Sequence, residues 1–160
     1  IDCWKRVAEQ HPDWHLDIYG VGSLHDKLQE QIDQLRLNDY ITLCGCSNNI
    51  MDVYPEYSLH IMSSRYEGQP MTLIEAQACG LPSVVFNFKF GAADIVQNGV
   101  NGIIVEQNDC KAFSEALCKM MSSEDMRKKY GQNALEVGRQ YFKNNVFSKW
   151  IELLEFISKA

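Results

Sequence analysis

The 160-residue sequence predicts an α/β domain, a doubly wound parallel sheet with helices on both faces, followed by a helical tail. Three observations carry that prediction. Short β-rich runs alternate with helical patterns four times over, the connections between them are short, and no β-rich run recurs beyond Asp109. Strands joined through helices run parallel, and their crossovers are right-handed, so helices cover both faces of the sheet.

The elements follow in order. The chain opens on a helical pattern, Cys3, Trp4, Val7 and Ala8, with no strand ahead of it. That start fits an excised domain whose first strand and amino-terminal partner domain lie outside the chain. "HLDIYGVG" supplies a strand ending in a glycine turn, and Leu24, Leu28, Ile32 and Leu35 then recur at helical spacing, with Ser23 as N-cap. "YITLCG" is the next strand, stopped by Gly45, and "NIMDVYPEY" a short helix broken at Pro55. "SLHIMSS" is a strand, the stretch from about Pro70 to Cys79 a helix stopped by Gly80, and "PSVVF" a further strand. "GAADIVQNG" gives a turn or two of helix and "NGIIVE" the last strand. The tail reads as three helical pieces with breaks near Ser122 and Tyr141, and its aromatic stripe, Tyr141, Phe142, Phe147, Trp150 and Phe156, as core. The whole is a Rossmann-like arrangement of residues 1–160 in a single domain.

Bulk properties narrow the function. A net charge of −6 without a basic stripe argues against nucleic acid as a partner. No apolar run approaches the ~20 residues that span a bilayer. The six cysteines lack zinc-site spacing; Cys44 and Cys46 form a weak pair at most, and thiols in a reducing cytoplasm are the simpler reading. His11, His15, His25 and His60 form no ligand set, and His60 inside its strand reads as sheet packing.

In open α/β sheets ligands bind beyond the carboxyl ends of the strands. There the sequence places "GVGS", "GCSN" and "SSRYEGQP". With Pro70 as first helical residue and Gln69 as cap, the amides of Gln69, Met71 and Thr72 are left without intrahelical partners and form an anion seat. Glu67 precedes that seat in a loop where Gly68 permits close approach, and Glu75 lies inside an otherwise apolar helix. A carboxylate only accepts hydrogen bonds, and the vicinal hydroxyls of a ribose supply two donors. The residues leave three readings open: a nucleotide-sugar site, another phosphate site, or a capping acid and a paired acid with purely structural roles.

The segment "SSRYEGQPMTLIEAQACGLPSVVFNFKFGAADIVQNGVNGIIVEQND" resembles the carboxyl-terminal half of the group 1 (family 4) retaining glycosyltransferases of GT-B fold. It carries Glu67 and Glu75 with seven residues between them, then Ala76, Ala78, Gly80 and Pro82, then Ile95, Val96, Gly99 and Gly102. The resemblance implies that Glu67 lies by the donor sugar and the reacting centre, and that Glu75 binds ribose hydroxyls. It implies that Gly68, Gln69, Pro70, Met71, Thr72 and Leu73 form the segment meeting sugar and phosphate, and that Ser47 approaches the base. Two departures stand out: Asp94 replaces the family's usual Glu, and the family's glycine-arginine turn and lysine would lie upstream of residue 1. The implied reaction takes a nucleotide-diphosphate sugar as donor, with no cofactor and no metal, and retains anomeric configuration. Its cleft lies between two domains, so a fragment is expected to be inactive alone. Family habit places such enzymes in the cytoplasm, some at the inner membrane face as peripheral proteins. The alternatives are an epimerase or synthase half of the same fold, or a non-catalytic nucleotide-binding or interaction module.

Overall fold

The computed structural model describes residues 1–159. The chain runs α1 (Asp2–Gln10), β1 (Leu16–Tyr19), α2 (His25–Leu35), β2 (Ile41–Gly45) and α3 (Ile50–Val53), with a 3-10 turn at Tyr54–Glu56. It continues β3 (His60–Met62), α4 (Met71–Ala78), β4 (Ser83–Phe86), α5 (Ala92–Ile95) and β5 (Gly102–Val105). The tail comprises α6 (Cys110–Met121), α7 (Glu124–Arg139) and α8 (Lys143–Ser158).

All strand pairs are parallel, as the alternation predicts. Period-two alternation then divides the strand residues between two cores. Ile61, Val84, Phe86, Ile103 and Val105 join Leu16, Ile18 and Ile41 in a cluster under α1, α2 and α6. Met62, Val85 and Ile104 face the opposite cluster with Leu73 and Ile74 of α4, Ile95 of α5 and Val137 of α7. Every residue of β4 is buried, which is what a strand covered on both faces requires.

The ladder is divided into β1-β2 and β3-β4-β5. The first core nevertheless runs beneath both parts. Side chains also cross the break: the Tyr57 hydroxyl, just before β3, donates to Asp17 of β1 and lies 2.9 Å from the Tyr19 hydroxyl.

Three expectations need correction. Ser23 does not cap α2; the helix opens at His25, whose N–H reaches Gly22 O at 3.2 Å, because the glycine turn supplies the first acceptor. Pro70 is the cap of α4 and not its first residue. The tail breaks fall where expected, with Asp109 capping α6 through Ala112 N and Ser123 capping α7 through Met126 N. Of its aromatic stripe, however, only Tyr141 packs against a core cluster. Phe142, Phe147, Trp150 and Phe156 are 50, 54, 57 and 73% exposed, and α8 buries no residue.

Candidate functional site

The site is built around the first turn of α4, and its position is set from three sides. Beneath it, Gly91 (φ 95) comes so close that an added Cβ would lie 2.7 Å from Pro70 Cδ. Only a residue without a side chain admits both that backbone angle and that contact. Beside it, Gln107 Nε2 donates to Arg65 O at 2.9 Å, tying the loop after β5 to the loop after β3. Behind it, α7 lies backbone to backbone on α4: a Cβ on Gly138 would meet Ala78 Cα at 2.4 Å, and one on Gly131 would meet Gly80 O at 2.5 Å.

Within this frame each sequence-predicted residue has a definite place. Pro70 is buried at φ −78, ψ 77, and its carbonyl accepts from Leu73 N at 3.1 Å and Ile74 N at 3.2 Å. Met71 N donates to Gln69 O at 2.8 Å, so that amide is already engaged and the anion seat is smaller than the sequence suggested. Gln69, Met71 and Thr72 are exposed, as is Gly68. Leu73 is 0% exposed and its N–H is taken by Pro70, so it serves the core and presents nothing to a ligand. Ser47, in the loop after β2, accepts the Asn49 N–H at 3.2 Å and shapes the turn into α3.

The two glutamates are both half-buried, and among the described residues neither forms an ion pair. Glu75 stands one turn inside α4 and faces Tyr54, whose hydroxyl lies 3.3 Å from Glu75 Oε2 and 3.2 Å from Thr72 O. Burial, and next the Glu75 charge, hold the Tyr54 hydroxyl proton well above the usual tyrosine range, so Tyr54 is always a donor. Cys79 lies on the same side; burial and then Glu75 raise its thiol pKa as well. Tyr54 and the glycines at 91, 131 and 138 escaped the sequence reading. The available signal was the Tyr-Pro pair, since a tyrosine fixed beside a proline turn and buried has to find a hydrogen-bond partner.

Below the site lies a closed polar network. Gln77 Nε2 donates to Ser83 Oγ at 2.9 Å and Leu81 O at 3.2 Å, and Gln77 Oε1 accepts from Asn101 Nδ2 at 2.7 Å. His60 Nδ1 lies 3.2 Å from the same Ser83 Oγ, and burial lowers its pKa to about 4, so His60 stays a neutral packing residue.

The loops at the carboxyl edge share one further property. Val21 and Leu24 after β1, Met51 after β2, Tyr66 and Met71 after β3, and Phe90 after β4 are all exposed. Exposed apolar residues also occur at Val100, at Leu135 and along α8. The two cavities of note lie elsewhere, about 310 Å³ between α1 and α6 and about 380 Å³ between the end of α7 and α8. At the α4 site Gly68, Gln69, Met71 and Thr72 are exposed.

Comparison with known proteins bears on this arrangement. The profile of the family described as "Glycosyl transferases group 1" matches residues 1–137. An exopolysaccharide phosphotransferase of Streptomyces coelicolor is 31% identical over 161 residues, 99% of this chain and 17% of that protein. The amylovoran biosynthesis glycosyltransferase AmsD of Erwinia amylovora is 32% identical over 154 residues, 96% of this chain and 43% of AmsD. The chain thus spans less than half the length of these relatives. The solved structure of Staphylococcus aureus TarM, a complex with Fondaparinux, alpha-GlcNAc-glycerol and UDP, has a TM-score of 0.89 at 24% identity. It covers 95% of this chain and 31% of the TarM chain, and at that identity the likeness is one of fold.

Proposed function

The chain belongs to the group 1 glycosyl transferases, and from that premise we propose that it is the donor-binding half of an enzyme transferring a sugar from a nucleoside-diphosphate donor to an acceptor hydroxyl with retention of configuration. The observation that carries the reading is Glu75: a half-buried carboxylate without a cation, set one turn inside α4 and held by a single hydroxyl. A desolvated carboxylate needs donors, and a ribose diol brings two. TarM, alike in fold, is recorded with UDP.

In this reading Thr72 N–H at the open end of α4 meets the diphosphate, aided by the helix dipole. Charge grows there as the sugar leaves, so a fixed amide is worth more in the transition state than in the ground state. Glu67, ahead of the helix, holds the sugar and faces positive charge developing at its ring. Gly68 and Gln69 lie beside it, and Ser47 borders the base. This reading assigns no resident cofactor or metal; the nucleoside diphosphate departs as the donor's own leaving group, and its charge falls to the α4 amide and the helix dipole.

The exposed apolar residues of the carboxyl edge and of α8 then belong against the acceptor-binding half of the enzyme. The open edges of β1 and β3 receive one further parallel strand, which would join the two sheets into one. Calorimetric titration of the full-length protein with UDP, GDP and ADP tests the reading. One of them should bind, and Glu75→Ala should weaken it by about 1.5–3 kcal/mol, the range for hydrogen bonds to a charged group. Absence of binding by all three, or an unchanged affinity in the variant, overturns it. The anomeric proton coupling in the product's NMR spectrum separates retention from inversion.

A further inference from the structure

The Tyr54 hydroxyl donates to Glu75, and Tyr54 is itself packed in place. It is 7% exposed and packs with Ala76 inside α4 and Leu81 just after it. Its ring meets His60 edge-on at 6.3 Å and 74°. The 3-10 turn that begins with it contains Pro55, which fixes the backbone at the next residue. One hydroxyl proton is shared between Glu75 Oε2 at 3.3 Å and Thr72 O at 3.2 Å, both longer than an undivided bond of this type. A phenylalanine would fill the same space, so the hydroxyl's contribution is confined to these two acceptors, both in the first turns of α4.

A glutamate left to itself loses much rotamer freedom when a ligand orders it, and a group that orders it beforehand removes that cost from binding. We propose that Tyr54 is a positioning residue for nucleoside recognition: its hydroxyl, fixed between α3 and α4, holds Glu75 so that the other carboxylate oxygen meets the vicinal hydroxyls of the ribose. This rests on the ribose role of Glu75 given above. Its consequence is specific. Loss of the Tyr54 hydroxyl should weaken ribonucleotides more than their 2′-deoxy analogues, because only the former bring both hydroxyls to the oriented acid.

The test uses the full-length protein and whichever of UDP, GDP and ADP binds it, together with the 2′-deoxy form of the same nucleotide. Wild type should prefer the ribonucleotide by about tenfold, the loss of one hydrogen bond to a charged group. Tyr54→Phe should lower ribonucleotide affinity about three- to tenfold and leave the 2′-deoxy form within about twofold, shrinking the preference. In a Glu75→Ala background Tyr54→Phe should have no further effect on that preference. Equal weakening of both nucleotides, an unchanged preference, or the same factor in the Glu75→Ala background overturns the role of Tyr54. A wild type with no preference overturns instead the ribose reading on which it rests. Tyr54→Met serves as the second variant, and failure of both to fold marks Tyr54 as a structural residue and ends the proposal.

Discussion

Replacing Gly138 with alanine in an isolated helix is worth about 1 kcal/mol of added stability, because glycine gives up more backbone entropy. In this fold the sign reverses. The new Cβ would lie 2.4 Å from Ala78 Cα, 2.5 Å from Ala78 N and 2.9 Å from the Gln77 carbonyl carbon. Optimal carbon contacts are about 3.5–4.0 Å, so α4 and α7 must separate by roughly 1 Å. All three obstructing atoms are backbone, so no rotamer relieves the overlap. Overpacking costs about 1–3 kcal/mol where side chains can adjust, and here the upper end applies. Set against the propensity gain, the net loss is about 2 kcal/mol, or about 4–8 °C in melting temperature for a protein of this size. Urea and thermal denaturation of the purified protein measure it, with Gly22→Ala as control, since nothing lies within 4 Å of a Cβ there. A Gly138→Ala variant as stable as wild type, or more so, refutes the claim that α4 is held backbone to backbone on α7.

Three further outcomes are expected. Gly91→Ala combines a left-handed backbone angle with a Cβ 2.7 Å from Pro70 Cδ; it should cost about 2–3 kcal/mol in urea denaturation and weaken the bound nucleoside diphosphate by displacing Pro70. His60 has a folded pKa of about 4, below the 6.5 of the unfolded chain, so its contribution is complete above pH 6.5 and is lost as pH falls toward 4. The whole span is about 3 kcal/mol, and His60→Gln should flatten that part of the stability-pH curve; an unaltered slope rejects the assignment. Glu67→Gln in the full-length enzyme should lower kcat more than donor affinity, while equal losses in the two would mean that Glu67 only binds.

Much of this architecture is legible in the sequence because it depends on local pattern. The run Ser83–Phe86 reads as a strand from its β-branched and aromatic residues, and the breaks near Ser122 and Tyr141 rest on local pattern within a few residues. What is not legible depends on distant partners. An apolar stripe shows that α8 has a face to bury but not which surface covers it. Proline is as compatible with the cap of α4 as with its first turn, and only the Met71 N–H to Gln69 O bond decides between them. Leu73 and Thr72 are neighbours in one motif, yet the helix turns one into the core and the other outward. Glu75 invites a partner on charge alone; that the partner is Tyr54, 21 residues earlier, follows from the packing of Tyr54 in the 3-10 turn with Ala76 of α4.

The buried network beneath α4 bears on why the site helix stays in place. Asn101 makes three hydrogen bonds: Nδ2 to Gln77 Oε1 at 2.7 Å and Ile95 O at 3.0 Å, and Oδ1 from Gln97 N at 2.7 Å. Through Gln77 and Ser83 these connect α4 to β4 and to the turn before β5. Both amides are 0% exposed, so water cannot replace a partner that is removed. Asn101→Ala therefore removes the partner of the Gln97 N–H, the Gln77 Oε1 and the Ile95 carbonyl, at about 3 kcal/mol, within the range for leaving buried groups unsatisfied. Gln77→Leu orphans the Asn101 amide in part and should cost about 2 kcal/mol. Once Asn101 is gone, however, the Gln77 amide oxygen is already unsatisfied, and its removal costs less. The double variant should fall short of the sum by about 1–2 kcal/mol. Strict additivity in urea denaturation would show that the two amides act separately, and that α4 is held by its apolar face and its glycine contacts with α7 alone.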